Sequence, residues 1–312
     1  VNVPALHTDP PEPALPVVTA MNGVSGLLRQ DVSMEQYCSW RTGGRARQWY
    51  EPADLDDLCR FITTLPHTEP LLWLGLGSNL LVRDGGFPGT VISIARVLNR
   101  IEPLADHGVR VEAGVPCPKL ARYCAAEGLA GAEFLVGIPG TMGGALAMNA
   151  GAFGGETWDI VDSVETLDRD GIRHVRRPED FDIDYRQVQG GHEEWFVAAC
   201  LRLRPDTDSK ARERMRGWLQ QRAETQPMGQ ASCGSVFRNP PGDHAARLIE
   251  ASGLKGHCIG GACVSDKHAN FIINRGGASA TDIEQLIELI RQTVKAEYGI
   301  ELQPEVHIVG NP

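Results

Sequence analysis

Val136-Gly137-Ile138-Pro139-Gly140-Thr141-Met142-Gly143-Gly144-Ala145-Leu146-Ala147-Met148-Asn149-Ala150-Gly151-Ala152-Phe153-Gly154-Gly155-Glu156 is the stretch whose reading decides the fold. Glycines this dense leave backbone N–H groups unshielded, permit positive φ and allow a ligand to approach the main chain closely. A second such stretch, Gly75-Leu76-Gly77-Ser78-Asn79-Leu80-Leu81-Val82-Arg83-Asp84-Gly85-Gly86, follows the apolar run Leu71-Leu72-Trp73-Leu74, which reads as a short buried strand. A single glycine pair would be a tight turn, whereas two long stretches suit the two phosphates of a dinucleotide. Leu80 stands where a Rossmann fingerprint needs its third glycine, and no helix signal follows at once. The expectation is a flavin or nucleotide held by a different α/β or α+β fold with more than one unit.

Composition sets the frame. At 312 residues, 42% hydrophobic and 22% charged, the chain has room for two or three compact units of ordinary globular make-up. A formal charge of −10 argues against non-specific nucleic-acid binding, and no apolar run is long enough to suggest a membrane span. The eight cysteines include no C-x-x-C pair, so no metal site is expected; most read as small buried hydrophobes in a reducing, cytoplasmic setting.

Along the chain, Pro4, Pro10, Pro11, Pro13 and Pro16 break up a stretch without periodicity, read as a loose tail over residues 1–30, with Met21 just before the sequence becomes regular. Deleting Val1–Ala20 is expected to leave flavin content and turnover intact, and loss of flavin from the truncated protein would overturn that reading. Asp54 opens a helix with Leu55, Leu58, Phe61 and Ile62 on one face, and Pro118 starts another that stops at Gly128. Val91–Ile94, Val109–Ala113, Val161–Leu167 and Phe196–Leu203 read as strands. The charged run Ser209–Glu224 reads as a solvated helix linking two units. Helices are expected at His244–Ser252 and at Thr281–Tyr298, the second opened by a Thr281/Glu284 capping box and ended by Gly299.

Three polar signatures remain: Asp184-Tyr185-Arg186, Ser232-Cys233-Gly234-Ser235-Val236-Phe237-Arg238-Asn239-Pro240, and Leu302-Gln303-Pro304-Glu305-Val306. Singly, each has a structural explanation. In order with Thr42-Gly43-Gly44, the glycine stretches, Gly253-Leu254-Lys255-Gly256 and Val264-Ser265-Asp266-Lys267-His268-Ala269-Asn270-Phe271, the set resembles the UDP-N-acetylenolpyruvoylglucosamine reductase (MurB) family from Trp40 through Val306.

The resemblance implies a vanillyl-alcohol-oxidase (PCMH) type α+β fold: two FAD-binding subdomains over 31–206 and a smaller α+β substrate domain over 207–312. It implies non-covalent FAD, NADPH as co-substrate, UDP-N-acetylglucosamine enolpyruvate as a small-molecule substrate, and no obligate protein partner. Arg186 and Glu305 match the family's stabilising pair and Ser235 its proton donor. Gly75, Gly77, Ser78, Asn79 and Leu80 would contact one side of the FAD diphosphate, and Gly137, Ile138, Gly140, Thr141, Gly144 and Gly151 the other. Tyr185, Arg238, Asn239, Lys255 and His268 are the substrate-binding expectations. Chemistry adds that a bare carboxylate would repel the enediolate formed at the substrate's carboxylate, so Glu305 is expected to have a raised pKa. Two positions depart from the family: Val188 replaces a serine, so a hydrogen bond that orients Arg186 is either missing or supplied by Gln187, and Cys263 replaces a glutamine. The short interval between Arg186 and Ser235 points to the subclass without an extra tyrosine-bearing loop. A flavin-dependent oxidase of the same superfamily and a non-catalytic nucleotide-sugar-binding regulator are the alternatives.

Overall fold

The computed structural model describes residues 23–190 and 193–312, so the expected tail lies outside the described residues as far as residue 22. Its last part is not loose. β1 (Leu27–Ser33) pairs antiparallel with β2 (Arg45–Glu51), Leu28 is buried, and the Ser25 N–H donates to the Asp57 carboxylate at 2.6 Å. Burial by itself would raise the Asp57 pKa, but the Tyr50 hydroxyl and the Ser25 and Ala53 amides hold it below the usual carboxylate range. A boundary at 31 would cut β1 in two, so regular structure is already present before the expected end of the tail.

In the first lobe the predicted amphipathic helix is α1 (Leu55–Thr63), capped by Asp54, whose side chain accepts from the Asp57 N–H, and it buries Leu58, Phe61 and Ile62. β3 (Leu71–Leu74), β4 (Leu80–Val82) and β5 (Phe87–Ser93) follow, and the sheet order is β1-β2-β5-β3 with β2 and β3 both parallel to β5. Thus β3 delivers the chain directly into the Gly75–Asn79 loop.

The second lobe contains β6 (Ile101–Pro103), β7 (Gly108–Glu112), α2 (Cys117–Ala126), β8 (Leu129–Ala130), α3 (Met142–Ala147), β9 (Gly151–Ala152), β10 (Gly155–Glu156), β11 (Val161–Asp168), β12 (Arg173–Arg176), β13 (Phe181–Asp184), β14 (Gln187–Gly190), β15 (Glu194–Arg202) and β16 (Arg204–Pro205). Its five-stranded sheet, β12-β11-β15-β7-β6, is antiparallel throughout. β13 and β14 form a hairpin whose two-residue turn is Tyr185-Arg186.

The charged helix α4 (Ala211–Thr225) does not stand free between units as expected. Ala211 and Met215 enter the core of the second lobe, and Trp218 stacks on Phe153 with ring centroids 5.0 Å apart. Packing therefore puts the start of the last unit near residue 226, not 207. Few apolar residues sufficed to dock the helix because two of them are fully covered, which a count of charges hides.

The last unit comprises α5 (Ala245–Ala251), β17 (Cys258–Ile259), β18 (Ala262–Val264), β19 (Ile272–Asn274), α6 (Ala280–Tyr298) and β20 (His307–Val309). α6 is capped by Ser279 with Asp282, two residues earlier than predicted, and ends at left-handed Gly299 as expected. Thr281 and Glu284 instead tie the units together: the Thr281 hydroxyl donates to Asp84, and Arg83 pairs with Glu284 at 2.7 Å. β20 leaves its own unit and pairs in parallel with β4, His307 opposite Leu80. Cys258 and Cys263 are joined in a disulfide and so fall outside the reading of most cysteines as buried hydrophobes. The signal was in the sequence: Gly260-Gly261 makes the hairpin turn that sets Cys258 directly across from Cys263.

Candidate active site

The two glycine stretches meet. Gly77 holds φ +61°, and a Cβ there would run into the Tyr37 carbonyl; the Ser39 N–H donates to the Gly77 carbonyl at 3.0 Å. A Cβ on Gly75 would collide with the Thr141 side chain, and one on Gly140 would sit 3.3 Å from Ser78 Oγ, so the absence of side chains lets one loop lie on the other. The second stretch is pinned from behind: the Cys117 N–H donates to Gly140 O (3.0 Å), Met142 N–H to Val115 O (2.9 Å) and Gly143 N–H to Ala113 O (2.8 Å). The Ile138 amide is likewise spent on Leu135 O, and the Gly137 carbonyl accepts from Arg222 at 2.7 Å, so neither of these two main-chain groups is left for a ligand. Thr141 Oγ is buried and has no hydrogen-bond partner among the described residues. An orphaned hydroxyl at the meeting point of two glycine loops, beside a cavity of about 510 Å³, fits an anionic dinucleotide such as FAD.

Arg186 occupies the hairpin turn at φ +57°, a left-handed conformation usually left to Gly or Asn. Its guanidinium is seated on main-chain carbonyls, Nη1 donating to Asn149 O (3.1 Å) and Nη2 to Gly151 O (2.8 Å), while the Tyr185 ring lies 4.9 Å from it. Nε faces Glu305 Oε1 at 3.3 Å. Gly151, expected at the diphosphate, is placed against this guanidinium, with space for nothing larger than hydrogen. Gln187 does not orient Arg186, as its Oε1 accepts from Arg238 at 3.4 Å. The missing serine at position 188 is made good by the main chain.

The carbonyls that seat Arg186 are fixed in turn by Asn149, a residue the motif reading passed over. Asn149 is buried at φ +39°, donates to Glu156 Oε2 (2.8 Å) and accepts from the Trp158 N–H (3.2 Å). Its signal was the M-N-A-G run inside the glycine stretch, read there as phosphate-binding alone.

Glu305 is held by its backbone, its N–H donating to Val236 O at 2.7 Å and its carbonyl accepting from Asn79 Nδ2 at 3.1 Å. Burial pushes its carboxyl pKa up, outweighing the downward pull of Arg186 and Arg238. Ser235 immediately precedes Val236, so one short bridge places the hydroxyl-bearing segment alongside the Pro304-Glu305 segment. Asn270 clamps that segment from the other side, accepting from the Phe237 N–H at 2.9 Å and donating to Phe237 O at 2.8 Å. Arg238 Nε is buried and has no hydrogen-bond partner among the described residues.

Of the remaining substrate-binding expectations, Asn239 and Lys255 have partners of their own. Asn239 Oδ1 accepts from the Ala245 N–H at 3.1 Å and so fixes the start of α5. Lys255 pairs with Glu250 at 2.6 Å, and burial, aided by Lys255, holds the His268 pKa below its usual value.

Comparison with known proteins agrees with this arrangement. An FAD binding domain model matches residues 47–176, and one for the UDP-N-acetylenolpyruvoylglucosamine reductase C-terminal domain matches 226–309. The second match starts where the packing of α4 puts the boundary. The UDP-N-acetylenolpyruvoylglucosamine reductase of Nitrosococcus oceani is 58% identical over 289 residues, covering 93% of this chain and 97% of its own. The chain belongs to the UDP-N-acetylenolpyruvoylglucosamine reductase family. The Alkalilimnicola ehrlichii reductase is also 58% identical, over 91% of this chain and 95% of its own. The crystal structure of the Thermus caldophilus reductase (MurB) matches with a TM-score of 0.77 at 33% identity, covering 91% of this chain and 99% of that one. The fold is thus the α+β one expected, an FAD-binding domain followed by the reductase family's own C-terminal domain.

Proposed function

We propose that this reductase converts the enolpyruvyl ether of UDP-N-acetylglucosamine enolpyruvate to the lactyl ether of UDP-N-acetylmuramate, in peptidoglycan precursor synthesis, with Arg186, Glu305 and Ser235 as its catalytic residues. The observation that carries the reading is the Arg186–Glu305 pair: a guanidinium fixed by carbonyls faces a carboxyl that burial keeps protonated beyond the usual range.

Bound FAD, reduced by NADPH, supplies the hydride to the terminal CH2 carbon of the substrate. Negative charge then accumulates at the carbon α to the substrate carboxylate and spreads into it. Arg186 neutralises that charge, and Glu305 in its protonated form donates a hydrogen bond to it, both at fixed positions that need no reorganisation. Ser235 gives its proton to the α carbon, where placement matters more than acidity because the carbanion is a strong base. Gly75, Gly77, Ser78, Asn79, Gly140, Thr141 and Gly144 would hold the FAD diphosphate. Substrate and NADPH are cytoplasmic metabolites, and we place the enzyme there.

Anaerobic titration tests the reading directly. NADPH should bleach the yellow protein, and the enolpyruvyl substrate should restore its colour. Reoxidation by oxygen and a sugar or alcohol as reductant would favour an oxidase instead, and bound flavin without turnover a regulator.

The protonated form of Glu305 is the active one, so the reoxidation rate should fall as pH rises through its raised pKa, above the range of an ordinary glutamate. Glu305→Gln, which keeps a neutral hydrogen-bond donor, should turn over more slowly but lose that alkaline limb. An unchanged limb in Glu305→Gln would assign it to another group.

A further inference from the structure

One residue holds Arg186 both by its charged tip and by the turn in which it stands. The guanidinium donates to the main-chain carbonyl of Asn149, and the Asn149 side chain donates through Nδ2 to the Asp184 carbonyl at 3.3 Å, where β13 enters the Tyr185-Arg186 turn. Nδ2 also donates to Glu156 Oε2 at 2.8 Å, and Oδ1 accepts from the Trp158 N–H. Both donors and one of the two acceptor positions of this buried amide are thereby used inside the protein. It has no donor to offer a substrate.

The position demands this side chain. Two donors and an acceptor are needed on a short stem, on a backbone at φ +39° that asparagine tolerates better than most residues. Aspartate has the same shape and the same tolerance, but once ionised it has no donor and would face Glu156 and the Asp184 carbonyl acceptor to acceptor. The turn being steadied is itself left-handed at Arg186, φ +57°, between two strands of only four residues each, so it depends on outside support to keep that form. Next to Asn149, Met148 Sδ lies 2.8 Å from Nε2 of His307, which follows Glu305 by two residues. The 148–151 strap therefore touches the segments that carry both members of the Arg186–Glu305 pair.

Resting on the role given to Arg186 above, we propose that Asn149 is a positioning residue for reduction of the enolpyruvyl substrate: its hydrogen bond to Glu156 fixes the amide that holds the Asp184 carbonyl, and so sets where the Arg186 guanidinium meets the charge forming on the substrate. That charge builds only as hydride reaches the substrate. Disturbing Asn149 therefore costs kcat of flavin reoxidation and spares both KM and reduction by NADPH. The titratable groups facing this arrangement are Glu156 and Asp159 on the Asn149 side, Glu305 and Tyr185 on the Arg186 side, and Arg238 and His307 beyond Glu305.

The test is stopped-flow measurement of both half-reactions across pH in the flavin-loaded variants. Asn149→Asp should keep its flavin and its fast reduction by NADPH, and reoxidise roughly ten- to a hundredfold more slowly near neutral pH, as for a small misplacement of a reacting group. The loss should shrink as pH falls, because a carboxyl that regains its proton donates again. Combining Asn149→Asp with Glu156→Gln exchanges donor and acceptor and should recover part of the rate near neutral pH. Asn149→Gly, which suits the left-handed backbone, carries the test if Asn149→Asp does not fold; it should show the same selective slowing without recovery at low pH. Unimpaired reoxidation, equal slowing of both half-reactions, or no recovery in the double variant would overturn the positioning role. Arg186→Gln separates the two readings: if it reoxidises normally, the role of Arg186 itself falls, whereas a slow Arg186→Gln beside a fast Asn149→Asp removes Asn149 alone.

Discussion

Replacing Ser235 by alanine is expected to leave reduction of the flavin by NADPH fast and to slow its reoxidation by the enolpyruvyl substrate roughly 10²–10⁴-fold, the usual cost of losing a positioned proton donor. The separation follows from where the residue sits. Its segment is held by main-chain bonds from Val236 to Asn270 and from Glu305 to Val236, and by the buried Val236 and Phe237 side chains. Losing one hydroxyl leaves all of these in place, so the fold and the flavin site should survive. Ser235→Cys should be intermediate, since a thiol donates from a similar position. Stopped-flow measurement of each half-reaction decides the matter. Equal slowing of both would make Ser235 structural and pass the proton to another group, with Glu305 next in line.

Gly77→Ala is expected to strip the protein of flavin and lower its melting temperature. The left-handed backbone there costs an alanine roughly 1–2 kcal/mol, and the new Cβ would also collide with the Tyr37 carbonyl, which belongs to main chain and cannot swing aside. The loop must therefore move, and with it Ser78 and Asn79, whose side chain reaches the Glu305 carbonyl. Gly144→Ala is the control. Its Cβ would meet only Thr141 Oγ at 4.0 Å, and its φ is not positive, so the apoprotein should melt as before. Flavin content by absorbance and a thermal melt check both variants; a flavin-replete Gly77→Ala would show that the loop tolerates a side chain and is not shaped as described.

What was legible in the sequence was whatever local chemistry determines. Periodicity located α1, α2 and α6, and ordered motifs located Arg186, Ser235 and Glu305. Less legible was anything fixed by distant partners. Asn149 looked like one more polar residue among glycines because its role depends on Glu156, Trp158 and the incoming guanidinium of Arg186. The capping role passed from Thr281 to Ser279 because Asp84, almost 200 residues away in sequence, claims the Thr281 hydroxyl. α4 was read as solvated because its charges outnumber the two residues that anchor it.

The pairing of β20 with β4 also bears on how the chain is made. During synthesis the first lobe emerges with the Leu80–Val82 strand awaiting a neighbour that lies more than 220 residues further along the sequence. Until His307–Val309 arrives, those backbone groups are an open template for the wrong strand, including the same segment of another nascent chain. The strand is only three residues long and is flanked by Arg83 and Asp84, features that make a poor nucleus for aggregation. The late strand that closes this edge follows Glu305 by two residues, so the polypeptide acquires its acid group and covers this edge in the same docking event.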